Sequence, residues 1–157
     1  MKVIRRNNKG FSLVELIVVV LIMAIVAVAL APQVVKWVEN SRISSDLETR
    51  TSIEKACQLA VTNEEVFEEV KTGDHQILIT KDDSGTHVQA LPDESGKLWD
   101  KVARIYGVDT WEEFKNSIEL KSTPVNAPRI ELRVYVYVDG HTFSTLSGFA
   151  STDIKGS

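Results

Sequence analysis

From Leu16 to Ala31 the chain runs sixteen residues without one polar or charged side chain. No small soluble core of 157 residues needs such a run, so it dominates what the chain can become. As a helix it rises about 24 Å, short of a hydrocarbon core of about 30 Å. Extended through Phe11–Val14 and Pro32–Val35 it reaches about 37 Å and spans a bilayer. The extension places Glu15 inside the run, where a carboxylate costs about 3 kcal/mol at the centre of a membrane helix and less near its end. The carboxylate therefore calls for a cation.

Charge is divided as sharply as hydropathy. Lys2, Arg5, Arg6 and Lys9 precede the run, with no acid among the first ten residues, whereas the whole chain carries a net charge of −4. A basic tip, an apolar rod and an acidic body follow one another. The basic tip stays in the cytoplasm by the positive-inside rule, and the body crosses to the other side. An acidic body argues against a direct nucleic-acid binder. The single cysteine, Cys57, allows neither an internal disulfide nor a cysteine metal cluster. Two ordinary explanations compete for the N-terminus. A secretory signal peptide would be cut after Ala29-Leu30-Ala31, although Pro32 directly follows that cut. A plain signal anchor would remain whole. Neither accounts for Glu15, four residues after an aromatic that follows Lys9-Gly10.

Gly10-Phe11-Ser12-Leu13-Val14-Glu15-Leu16, behind a short basic leader and ahead of an apolar helix, resembles the cleavage and methylation motif of type IV prepilins and pseudopilins. The resemblance covers about residues 5–35. It implies a leader of residues 1–10, removed by a prepilin peptidase between Gly10 and Phe11, with N-methylation of Phe11. It implies a transmembrane and filament-core helix over 11–35, and an extracytoplasmic body over 36–157 that includes the second half of the long helix. It also implies assembly residues. Phe11 and Glu15 lie four apart on one helical face, and Glu15 of an incoming subunit would neutralise the Phe11 amine of its predecessor. Pro32 stands where many pilins also carry proline and is expected to kink or locally melt the helix. The glycine-free stretch Ala24–Ala31 opposes melting. The partners implied are the prepilin peptidase, identical or related pilin subunits, a membrane platform with its assembly ATPase, and lipids before assembly. The subunit would be a single-pass protein of the cytoplasmic membrane, N-terminus inside, and then part of a pilus or a short envelope filament. A pseudopilin of a secretion or competence system is the alternative within the family. A monomeric membrane-anchored binding domain is the alternative outside it. Many members close a C-terminal loop with a disulfide, which this chain cannot do, so no adhesive role is carried over from them.

The rest of the chain reads as α+β, with the long helix packed on a small antiparallel sheet. One helix is expected over 11–62, its buried face formed by Ile43, Leu47, Ile53, Ala56, Cys57, Ala60 and Val61. Arg42, Asp46, Glu48, Arg50, Glu54 and Lys55 are expected largely on the other faces. Trp37 suits a headgroup belt. Short helices are expected after Asn63, over Lys97–Tyr106, and from a cap at Asp109 or Thr110. Strands are expected over His75–Thr80, Thr86–Leu91, Ile118–Lys121, Arg129–Val138 and His141–Leu146, with a turn at Asp139-Gly140. In Arg129–Val138, Ile130 to Val138 alternate inward, and Tyr135 and Tyr137 face outward. Pro124 and Pro128 bound a loop. His75, His87 and His141 read as isolated surface histidines, Asp82 and Asp83 as a solvated turn, and Cys57 as a small buried packing residue. No nucleophile elbow, phosphate loop or metal-ligand spacing is present, so no cofactor, no metal and no enzymatic activity are expected.

Overall fold

A computed structural model describes residues 12–123 and 129–148. The cleavage pair Gly10 and Phe11 and the loop prolines Pro124 and Pro128 lie outside these. The chain divides into two compact units, residues 1–38 and 39–157. Helix α1, Leu13–Val61, is assigned across both.

In the first unit every residue from Ser12 to Val38 is exposed. Leucine, isoleucine and valine side chains surround the helix on all sides, so no stripe singles out one partner. Pro32 lies inside α1, and the helix is unbroken on both sides of it. In the described helix this stretch is not melted. Alanine-rich neighbours without glycine retain helical geometry, and the cost of proline falls on one missing N–H opposite the Val28 carbonyl.

The second unit packs helices on one face of a sheet. The C-terminal part of α1 buries Ile43, Ile53, Ala56, Cys57, Ala60 and Val61. Helix α2, Glu64–Val70, starts at Asn63, whose side chain accepts a hydrogen bond from the Glu65 N–H at 3.1 Å. Strands β1, His75–Asp82, and β2, Gly85–Leu91, form a hairpin in which Asp82 pairs with Gly85. Gly85 takes a φ of +125°, a region that favours glycine. Asp82 Oδ1 accepts from the Ser84 N–H at 2.8 Å, and hydrogen bonds from Ser84 hold the Asp82 carboxyl below its ordinary range. Helix α3, Lys97–Tyr106, and α4, Trp111–Ser117, follow. Thr110 caps α4 by accepting from the Glu113 N–H at 3.2 Å. Strands β3, Ile130–Val136, and β4, Thr142–Ser147, complete an antiparallel sheet of order β2-β1-β3-β4.

The period of two in β3 survives as burial of Ile130, Leu132, Val134 and Val136. Two expectations are corrected. Val138 is exposed, because β3 ends at Val136 and the turn closes through Tyr137 and Gly140. Residues 118–121 form no strand. Their backbone is instead held by side chains, the Leu120 N–H donating to Thr86 Oγ1 at 3.2 Å and the Lys121 N–H to Asp46. The apolar core continues through Trp99, Trp111 and Phe114, with ring centroids 5.5 Å and 4.8 Å apart in sequence.

Candidate functional site

The N-terminal segment contains the first candidate site. Ser12 accepts the first helical hydrogen bond, from the Leu16 N–H at 3.1 Å. Glu15 therefore occupies the first turn of α1, where the helix dipole favours a negative charge. Its neighbours along the helix, Leu13, Val14, Leu16 and Ile17, are all exposed and apolar. The carboxylate thus stands in an apolar field with no acidic or basic side chain within the next twenty residues, up to Lys36. Pro32 lies seventeen residues further along the same exposed segment. Among the described residues of the first unit, none covers this surface.

The body contains charged groups whose positions the sequence pattern misjudged. Asp46, expected on a solvent face, is fully buried. Its Oδ1 accepts from the Lys121 N–H at 2.7 Å and its Oδ2 from the Ser122 N–H at 3.0 Å, with the Ser122 hydroxyl as a further donor. One helical heptad earlier on α1, Glu39 accepts from the Thr123 N–H at 2.6 Å. Two carboxylates seven residues apart thus hold the backbone of 121–123, in place of a strand ladder. Glu54, half-buried, accepts from the Ser144 hydroxyl of β4. Glu69 of α2 caps α3 from outside, accepting from the Lys97 N–H at 2.8 Å. The local signals for these roles are weak, because each acceptor lies between 28 and 90 residues from its donor.

His75 is a further correction. It is buried rather than superficial, its ring 5.9 Å from that of Trp99. It opens β1 on the inward-facing register, with Ile77 and Ile79. His87 and His141 are exposed as expected. Among the described residues, no three histidine, cysteine, aspartate or glutamate side chains gather to hold a metal.

Cys57 is fully buried, as expected. Burial pushes its thiol up from 9.0 to about 12, and the nearby Glu54 carboxylate adds to the shift. The folded state therefore retains the thiol proton that the unfolded chain releases above pH 9. This contribution to stability is complete below pH 9 and is lost as the pH rises from 9 towards 12. Two outcomes follow. Alkylation of Cys57 by iodoacetamide at pH 8 is at least tenfold slower in the folded protein than in denaturant. In addition, a Cys57→Ala variant shows a shallower loss of stability between pH 9 and 11 than the parent. Alkylation at equal rates in both states would remove the premise.

Comparison with known proteins bears on the N-terminal segment first. Residues 5–31 match the family model described as the prokaryotic N-terminal methylation motif. Over 94 residues the chain is 28% identical to prepilin peptidase-dependent protein A of Clostridium perfringens (strain 13 / Type A). That alignment covers 59% of this chain and 64% of the relative, so the chain spans less than two thirds of the relative's length. No solved structure matches. The chain thus carries a prepilin-type N-terminal methylation segment, and its long apolar helix followed by a four-stranded antiparallel sheet is an α+β, type IV pilin-like arrangement.

Proposed function

We propose that the chain is the precursor of a structural subunit of a type IV pilus-like filament. The observation that carries this reading is the coincidence of the methylation motif with an apolar helix whose residues from Ser12 to Val38 are all exposed. An apolar surface of that length requires lipid or copies of itself to cover it, and a filament supplies the second after a membrane has supplied the first. In this reading residues 1–10 are a leader, 11–35 the membrane and filament-core segment, and 36–157 the extracytoplasmic body. A prepilin peptidase cuts between Gly10 and Phe11 and methylates the new amine. Glu15 of an arriving subunit then meets the Phe11 amine of its predecessor. Pro32, helical here, lies within the filament-core segment. The assembly platform, its ATPase and related subunits are the remaining partners, and catalysis has no part in the role. The same subunit chemistry serves a pseudopilus of a secretion or competence system. Extracellular fibres against short envelope filaments separate the two.

The test is the intact mass and N-terminus of the exported protein. Removal of the first ten of 157 residues leaves 147, beginning at N-methyl-Phe11. A protein that begins at Pro32 is an ordinary secreted protein, and one that retains Met1 is a simple membrane-anchored domain. Either result overturns the proposal.

A further inference from the structure

The outward face of the sheet has its own chemistry, separate from the apolar helix. Strand register aligns Leu91, Gln76, Tyr135 and Phe143 in one row across all four strands. Around Tyr135 the aromatic rings stand nearly parallel. Tyr137 is 6.2 Å from Tyr135 at 11°, and Tyr135 is 6.4 Å from Phe143 at 24°. Where the row meets the start of β1, a cleft of about 380 Å³ opens. Leu91, Pro92 and the two tyrosines make its apolar and aromatic surfaces, and Asp74, His75 and Gln76 its polar ones.

The polar wall is incompletely satisfied. His75 borders the cleft from the inward register; it is nine-tenths buried, and its Nδ1 has no hydrogen-bond partner among the described residues. Gln76 Oε1 is buried and equally without a partner. Asp74 uses Oδ1 to accept from the Val138 N–H at 3.1 Å. Buried polar atoms without partners are rare in folded proteins, and a ligand that supplies donors relieves them. Among the described residues no lysine or arginine lines the cleft, which does not suit phosphate or carboxylate. A carboxylate and an amide oxygen beside tyrosine rings ask for a compact ring with several hydroxyl donors and an apolar C–H face.

We infer that this cleft binds a neutral pyranose, as a free sugar or as a unit of a surface glycan, with the sugar's C–H face against Tyr135 and Tyr137 and its hydroxyls on Asp74 and Gln76. The volume accommodates one such ring with its substituents. A ligand of about twelve heavy atoms in an open cleft binds in about the millimolar range. The site lies within the second unit and does not depend on whether the chain polymerises.

Saturation-transfer difference NMR on the full chain tests this, in a polyoxyethylene detergent that carries no sugar. The probes are methyl α-glucoside, methyl α-mannoside, methyl β-galactoside and N-acetylglucosamine at millimolar concentration, with choline chloride as the cationic comparison. The expected result is transfer to ring C–H protons of at least one pyranoside, reduced about fivefold or more by Tyr137→Ala and by Asp74→Asn. The asparagine retains an oxygen for the Val138 N–H, so this variant removes a ligand acceptor without loosening the turn. Absence of transfer to every pyranoside overturns the inference. So does transfer that persists in both variants, or transfer to choline alone.

Discussion

Glu15→Ala leaves membrane insertion and leader cleavage intact and lowers filament yield by more than tenfold. This expectation follows from where the carboxylate stands. It lies in the first turn of α1, among exposed apolar side chains that any assembled form must bury. Once buried beside a neighbouring α-amine, the pair is tolerable, whereas the amine alone is not. Removing one member of a buried ion pair costs about 3–5 kcal/mol, which is over a hundredfold in an association constant. The cost recurs at every subunit contact, so incorporation fails while the monomer in the membrane is untouched. Insertion improves slightly if it changes at all, because a charge has left the lipid-facing run. The measurement is the ratio of sheared fibre to membrane-retained subunit, with the mass of the retained form confirming a start at Phe11. Glu15→Gln separates charge from size and is expected to behave like alanine. Fibre yield equal to the parent in both variants refutes the pairing.

The second large effect lies in the body. Asp46→Ala is expected to destabilise the second unit by about 3–5 kcal/mol. The carboxylate is fully buried and accepts three hydrogen bonds, from the backbone N–H groups of Lys121 and Ser122 and from the Ser122 hydroxyl. Hydrogen bonds to a charged group contribute about 1.5–3 kcal/mol each, and truncation leaves donors in a place water does not readily reach. Against a total stability of about 5–15 kcal/mol the loss is a large fraction. It should appear as a fall in Tm on the order of 10–20 °C. Three tryptophans make fluorescence a suitable probe, and two of them, Trp99 and Trp111, are in the core. Asp46→Asn retains one acceptor but presents an amide N–H₂ where the second oxygen stood, so its loss is intermediate. Glu39→Ala, at the more accessible end of the same clasp, costs about 1 kcal/mol. Unfolding of Asp46→Ala within 1 kcal/mol of the parent would show that 121–123 is held by packing alone.

These two carboxylates also mark the boundary of what the linear sequence discloses. Glu15 is conspicuous in one dimension, because sixteen apolar residues follow it and none of them can answer its charge. The long helix, the short helices with their Asn63 and Thr110 caps, and the alternation in β3 are legible for the same reason. Each depends on neighbours within a few residues, where helical and extended periods decide which side chains share a face. Asp46 offers no such clue. Among Arg42, Glu48 and Arg50 it reads as one more solvated charge, and its donors lie 75 and 76 residues away. The same distance hides the irregular course of 118–121, whose alternating apolar and charged residues imitate a strand. Its N–H groups donate to the side chains of Asp46 and Thr86 rather than to the backbone of a strand.

His75 shows the limit from another side. Isolated in the sequence, it reads as a surface histidine; the fold puts it on the inward register with Ile77 and Ile79, and the packing of α3 brings Trp99 against its ring. The outward row of Leu91, Gln76, Tyr135 and Phe143 belongs to four different strands, and only the order β2-β1-β3-β4 assembles it. The apolar segment, its single acid, the match to the methylation motif and most of the elements can thus be read along the chain, because hydropathy and local backbone preference set them. Tertiary structure alone decided which charges are buried, how 118–123 is held and where the aromatic cleft opens, because those depend on hydrogen bonds and contacts between residues that only folding brings together.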